Sequence, residues 1–232
     1  MENHFDVNYE LEERLKESGK LAQVKQVRDI ANMANIYYIR QKEPKGLGHA
    51  ILCAKDFIGN EPFAILLGDD VVVNKGGKPA LKQLIDAYEG VEASIVGVQT
   101  VPKNDVNKYG IVKPLNIKDS QERLVKLVSM VEKPDVDKAP SQMAVLGRYV
   151  LTPEIFSFLE TQEKGKGGEI QLTDAIMRLM NKQAVYAYDF EDICYDVGDK
   201  FGFIKATIDF ALDNDSIKDQ VAEYLKEVSH KI

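Results

Sequence analysis

Histidine and cysteine are scarce in this chain, whose 232 residues hold three of the first and two of the second. His4, His49 and His230 are scattered, which argues against a zinc site. Cys53 and Cys194 stand in apolar or aromatic context without metal-ligand spacing, and read as buried thiols of a reducing cytoplasm. Long apolar runs are lacking too, so no membrane span is expected. The N-terminal Met1-Glu-Asn-His-Phe-Asp6 is acidic and has no apolar h-region. No secretory signal is therefore expected, and the chain reads as soluble and cytoplasmic. Positive charge is in the minority, with 30 Lys and Arg against 37 Asp and Glu and a net charge of −7. A general nucleic-acid binder would show a basic surface. A nucleotide substrate needs only a few local cations and stays open.

What is present suits a soluble globular protein: 44% hydrophobic and 29% charged residues, in a length that fits one α/β domain, alone or with a small appendage. The stretch Phe63–Val73 organises the rest. Phe63–Leu67 is an unbroken apolar run, long enough for a strand and too short for a helix, and suits a strand buried on both faces. It ends in Gly68-Asp69-Asp70. Ligands of open α/β sheets sit outside the carboxyl ends of strands, so two carboxylates here are placed to hold a divalent metal. Gly-Asp is also ordinary turn chemistry, and both readings stand.

Residues 8–32 read as helix, interrupted at Gly19. Ile36–Arg40 is expected to be a short strand, followed by the loop Gln41–Gly48. A helix then carries Leu47, Ile51, Ala54 and Ile58 on one face. Pro79 opens the next helix, and Ala93–Val98 is a strand. This alternation argues for a parallel sheet covered by helices. Tyr109–Lys113, Leu124–Glu132 and Ala144–Val150 then follow as strand candidates, which suggests a second, more antiparallel region. Helices return at 153–160 and 170–181, with a strand at Val185–Asp189. Two amphipathic helices close the chain, the last with Ser216 and Asp219 spaced as a capping box. No domain boundary is visible.

Several short stretches have residue types suited to binding. Glycines in Gln41–Gly48 allow close backbone approach to a ligand, and Gln41 has the donor and acceptor that read a pyrimidine edge. Gly110, in Lys108-Tyr-Gly110, marks either close ligand approach or a bulge. Glu132-Lys133-Pro134 holds a sugar-hydroxyl acceptor and a phosphate cation at a strand rim, or a solvated ion pair. Gly165–Glu169 suits a phosphate or a surface turn. Asp196, in Tyr195-Asp-Val-Gly198, follows a strand as Asp69 does.

The order of these motifs is more informative than any one of them. Gln41…Lys45-Gly-Leu-Gly-His49, Leu67-Gly-Asp-Asp70, Lys108-Tyr-Gly110, Val131-Glu-Lys-Pro134, Gly147-Arg-Tyr149, Gly168-Glu-Ile-Gln-Leu-Thr-Asp174 and Tyr195-Asp-Val-Gly198 together resemble the bacterial UTP–glucose-1-phosphate uridylyltransferases. The resemblance runs nearly the whole chain from Glu2. It implies a Rossmann-like nucleotidyltransferase fold over residues 1–232 as one domain, with a mixed, mostly parallel central sheet and an added smaller sheet. It also implies uridylyl transfer from UTP to glucose 1-phosphate, giving UDP-glucose and pyrophosphate, with Mg²⁺ as cofactor and a homodimer or homotetramer as the assembly. Residue by residue, it casts Gln41 and Gly46 as uracil-reading elements and Asp69 and Asp196 as the Mg²⁺ carboxylates. Gly110 becomes a backbone donor to the glucosyl ring, Glu132 the acceptor for its hydroxyls, Lys133 the cation on the phosphates, and Glu169 a neighbour of the sugar.

One part of the pattern is missing. The family begins with a strand and a Gly-x-Gly-Thr-Arg loop that cradles the triphosphate, and these 232 residues contain no such loop. The chain is thus expected to be N-terminally incomplete and, alone, impaired or inactive. A non-catalytic sugar-nucleotide binding or regulatory subunit is the alternative of a different class. A thymidylyltransferase is the alternative within the same class, since one methyl group is worth only about 1–3 kcal/mol of discrimination.

Overall fold

The structure, a computed structural model, describes residues 4–116 and 122–231. Glu2, where the resemblance begins, lies outside the described residues. The chain falls into two units, residues 1–43 and 44–232, where the sequence shows no boundary. In the first, α1 (Tyr9–Glu17) and α2 (Leu21–Ala31) are separated at Gly19, whose φ of +71° suits glycine. Asn8 caps α1 by accepting from Leu11 N–H at 3.0 Å. Buried Glu12 pairs with Arg28 at 2.7 Å and ties the two helices together. Residues 36–40 are not the strand expected. Extended backbone becomes a strand by pairing, and this run enters no ladder among the described residues.

The second unit begins with α3 (Leu47–Leu52) and α4 (Lys55–Ile58), two short helices where one was expected, then β1 (Phe63–Leu66) and β2 (Asp70–Val73). After Pro79 comes α5 (Ala80–Val91), then β3 (Ser94–Thr100), β4 (Gly110–Pro114), β5 (Leu124–Glu132) and β6 (Met143–Leu151). The chain continues through α6 (Ile155–Glu160), α7 (Leu172–Leu179), β7 (Val185–Asp189), β8 (Ile193–Asp196), α8 (Lys200–Leu212) and α9 (Lys218–Ser229). The large sheet has the order β1-β6-β3-β7-β5-β4, and one rung, Ile111 opposite Ala144, brings β4 back to β6. As expected, the central sheet is mixed and a smaller sheet accompanies it. Strands β1, β3, β4 and β7 share a direction, but β6 runs against them between β1 and β3. Hence β3–β7 is the one parallel pairing among the described strands, and the ladders are mostly antiparallel. The smaller sheet is a ribbon of β2 and β8, with Asp70 opposite Asp196.

Burial on both faces, expected for Phe63–Leu67, belongs instead to β6, which is buried from Ala144 to Leu151. Alternate β6 side chains enter two cores. Val145, Tyr149 and Leu151 join α6 and α7 on one face, and Leu146 and Val150 join Leu84 of α5 on the other. β1 is an edge strand of the described sheet. Phe63 and Ile65 pack inward, while Leu66 is 52% exposed. The capping box expected at Ser216 does not form. Asn214 Oδ1 accepts from the Ser216 hydroxyl at 2.7 Å, and Ile217 takes the cap position of α9 without a side-chain bond. No helix among the described residues is long and apolar enough to cross a membrane.

Candidate active site

A cavity of about 440 Å³ in the second unit, a size common for small-molecule sites, collects most of the residues singled out by sequence. Asp69, Gly110, Glu132, Lys133, Glu169 and Asp196 all line it. Gln41 lies in the N-terminal unit.

Two strand ends supply one side of the cavity. Gly110 opens β4 opposite Glu132, the last residue of β5. A Cβ on Gly110 would lie 3.2 Å from Glu132 Oε2 and 3.4 Å from Thr173 Oγ1, so the glycine leaves room for that carboxylate. Thr173, in the first turn of α7, donates to Glu132 Oε2 at 2.6 Å. The carboxylate thereby sits at a helix N-terminus, where negative charge is favoured. Lys133 follows with φ +45°, rare for a side chain other than glycine, and its N–H donates to Tyr109 O at 3.0 Å. That left-handed residue turns the chain at the cavity wall.

The glycine loop is a packing device. Gly46 caps α3 with φ +101°, and a Cβ there would lie 2.7 Å from Glu169 Cβ and 2.9 Å from Ile170 O. Ile170 N–H donates to Lys45 O at 2.7 Å, and Gly48 N–H donates to Ile170 O at 2.9 Å. The loop is therefore clasped to the strand-like segment that presents Glu169. Gly46 does not itself line the cavity and acts on it through Glu169.

The cavity lining is also acidic. Asp69 sits in the turn Leu67–Asp70, and its carbonyl accepts from Val197 N–H at 2.8 Å. Asp196 Oδ1 accepts from Gly198 N–H at 3.0 Å and Asp199 N–H at 3.1 Å, while Tyr109 donates to Oδ2 at 3.4 Å. Asp69 Oδ2 and Asp196 Oδ1 lie 3.5 and 3.2 Å from a single point, the place a Cβ on Gly198 would occupy. Asp70 is the third carboxyl, the neighbour of Asp69 in the pair that the sequence offers for a divalent metal, though the resemblance gives it no role of its own. Its side chain abuts Gly147, whose φ is +52°, and a Cβ there would fall 2.0 Å from Asp70 Oδ2. Burial first, then Asp69 and Asp196, push the Asp70 carboxyl up to about 6, with Arg148 pulling it the other way. Burial likewise pushes the Cys194 thiol up to about 12, so it is no nucleophile. Tyr109 and Tyr149, also on the wall, are raised by burial and by neighbouring carboxylates and stay protonated.

Among the described residues, five carboxyl groups, Asp69, Asp70, Glu132, Glu169 and Asp196, line the cavity with only Lys108 and Lys133 as lysines. A phosphate-bearing ligand therefore meets net negative charge. Among the described residues, no group of three or more His, Cys, Asp or Glu is arranged to hold a metal ion. Two converging carboxylates still fit a hard cation whose remaining ligands are phosphate oxygens and water, the arrangement Mg²⁺ favours.

Sequence reasoning did not single out Thr173, Tyr109, Tyr149 or Arg148 individually, although each lies inside a quoted motif. Thr173, Tyr149 and Arg148 share a signal, a polar group on an otherwise apolar strand or helix, whereas Tyr109 stands just before β4 and carries none.

The chain matches the nucleotidyl transferase family over residues 7–211. It is 51% identical over 231 residues to the UTP–glucose-1-phosphate uridylyltransferase of Bacillus subtilis (strain 168), covering 100% of this chain and 77% of that protein. Among solved structures, the UTP-bound UGPase from Acinetobacter baumannii aligns with a TM-score of 0.87 at 36% identity, covering 98% of this chain and 78% of that one. A UDP-glucose pyrophosphorylase complexed with UDP-glucose aligns with a TM-score of 0.82 at 37% identity, over 92% and 76% of the two chains.

Proposed function

This chain belongs to the nucleotidyl transferase family, with UTP–glucose-1-phosphate uridylyltransferases as its relatives, and we propose that its cavity takes glucose 1-phosphate and UTP in a Mg²⁺-dependent uridylyl transfer. The reading rests on one observation above the others: a sugar-suited group, Gly110–Glu132–Thr173, lines the same cavity as the converging carboxylates Asp69 and Asp196 and as Lys133.

In this reading Glu132 accepts from glucose hydroxyls, held in place by Thr173. The Gly110 backbone approaches the ring, and Glu169 lies beside it. Lys133 faces the phosphates. The phosphate oxygen of glucose 1-phosphate is already anionic near neutral pH, so it attacks the α-phosphorus of UTP without a general base, and pyrophosphate leaves. Reactions of this kind depend on positioning and charge neutralisation more than on proton transfer. Asp69 and Asp196 are accordingly assigned to hold Mg²⁺, which when bound offsets the cavity's negative charge and that of the phosphates. Gln41 is assigned to uracil.

The 232 residues contain no Gly-x-Gly-Thr-Arg segment, the part the resemblance ties to the triphosphate. We therefore expect this chain, tested alone, to bind UDP-glucose but to release pyrophosphate slowly. Exposed Phe201, Phe203, Ile204 and Phe210 on α8 support self-association as a dimer or tetramer. The test is calorimetric titration of UDP-glucose with Mg²⁺, alongside pyrophosphate release from UTP and glucose 1-phosphate. Binding with slow release supports the reading; a folded chain that ignores UDP-glucose refutes it. Fast release removes the role given to the missing loop.

A further inference from the structure

Arg148 is a buried cation, 7% exposed, on the β6 strand opposite Leu66 of β1. All three hydrogen bonds of its guanidinium go to main-chain carbonyls: Nη1 donates to Leu67 O at 3.3 Å and Gly147 O at 3.1 Å, and Nη2 to Asp70 O at 2.6 Å. Burying a guanidinium against carbonyls alone is costly, because neutral acceptors only partly replace water. The chain keeps it at one particular corner.

Leu67 and Asp70 are the two ends of the turn whose middle residues are Gly68 and Asp69. The bond that should close this turn, Asp70 N–H to Leu67 O, is long at 3.4 Å. Gly68 has nothing near the position of a Cβ, and besides Arg148 the corner is held by Leu67 N–H to Gly147 O at 2.9 Å and Val197 N–H to Asp69 O at 2.8 Å. Arg148 bonds both ends. Its planar fork fixes the separation and tilt of the two carbonyls, and with them the direction in which Asp69 leaves the turn. The guanidinium also acts electrostatically on the Asp70 carboxyl beside this turn.

We propose that Arg148 is a positioning residue for the cation-holding wall: through the Leu67 and Asp70 carbonyls it sets the geometry of Asp69. The proposal rests on the reading of Asp69 and Asp196 given above. Groups behind a metal ligand typically change metal affinity 10–100-fold when removed. A residue needed only for folding would weaken every ligand alike.

The test uses the whole 232-residue chain, with Mn²⁺ as a spectroscopic substitute for Mg²⁺. Mn²⁺ affinity is read by electron paramagnetic resonance with UDP-glucose present, and metal-free UDP-glucose affinity by calorimetry. Arg148→Gln is expected to weaken Mn²⁺ about tenfold or more and to leave metal-free UDP-glucose affinity within about twofold. Arg148→Lys, which keeps a cation but reaches fewer carbonyls, is expected to recover part of the loss. Unchanged Mn²⁺ affinity in a folded Arg148→Gln chain overturns the proposal, as does an equal loss for both ligands. Should Arg148→Gln not fold, Arg148→Lys decides by the same comparison: selective Mn²⁺ loss supports the proposal, and no selective loss overturns it. A wild-type chain that holds no Mn²⁺ refutes the reading of Asp69 and Asp196 itself, and the Arg148 proposal falls with it.

Discussion

Thr173 donates its hydroxyl proton to Glu132 Oε2 at 2.6 Å, across the seam between the first turn of α7 and the end of β5. One carboxylate oxygen is thereby taken, and the other remains for the ligand. Thr173→Val keeps the shape and removes the donor. It should weaken binding of glucose 1-phosphate about tenfold, the value of a hydrogen bond to a charged group, with Mn²⁺ binding unchanged. Thr173→Ser should recover most of the loss. Calorimetry on the three chains checks this, and equal affinities would remove Thr173 from the sugar wall.

Gly46 has no room for a side chain. A methyl group there meets Glu169 Cβ and Ile170 O at 2.7 and 2.9 Å, on a backbone with φ +101°. Gly46→Ala should cost about 2–3 kcal/mol of stability, from strain and overpacking together. Urea unfolding measures it. Gly59→Ala is the control, since its φ is also positive, +66°, but no atom lies near its Cβ position. It should cost about 1 kcal/mol.

Asp70 makes the metal-free chain pH-sensitive. Its carboxyl has a folded value of about 6 against the ordinary 3.8, so between these values the native state holds more proton than the unfolded one. Stability from this group is full below 3.8 and is lost as pH rises through about 6. Asp70→Asn should then raise stability at pH 8 by about 1–2 kcal/mol, after allowing for solvent screening, and change it little at pH 4. Thermal melts in chelator at the two pH values decide it. A gain at pH 4 equal to that at pH 8 would contradict burial of the charge as the cause.

Cys194 offers a chemical probe of the same wall. With its thiol pushed up to about 12, mainly by burial, it should react with iodoacetamide at pH 8 far more slowly in the folded chain than in denaturant. Mass spectrometry of the labelled peptide reads this directly. Rapid labelling of the native chain would show that the ribbon opens.

Strands β5 and β7 were legible to the residue, because apolar and aromatic residues recur along each within a polar context. The carboxylates Asp69 and Asp196 were legible because each follows a strand and each belongs to a motif in a recognisable order. Ile36–Arg40 failed as a strand although its composition is right, because pairing is a property of the partner and not of the segment. Arg148 showed locally only as a charge in an apolar strand, with nothing to say what it bonds. Its acceptors are main-chain carbonyls, two of them far away in sequence, and carbonyls have no letter in the sequence. The burial expected of Phe63–Leu67 was assigned to the wrong strand, since an apolar run says nothing about which strand stands at an edge.

The β2–β8 ribbon joins Asp70 to Asp196 across most of the chain, whereas the sugar wall pairs Gly110 with the much nearer Glu132. Loop closure over such a span makes the ribbon a late event, and the β4–β5 hairpin an early one. During synthesis the sugar wall can be in place while the acidic wall is still a disconnected turn. The cation-holding role proposed for Asp69 and Asp196 would then arrive only once the residues beyond Asp196 have left the ribosome.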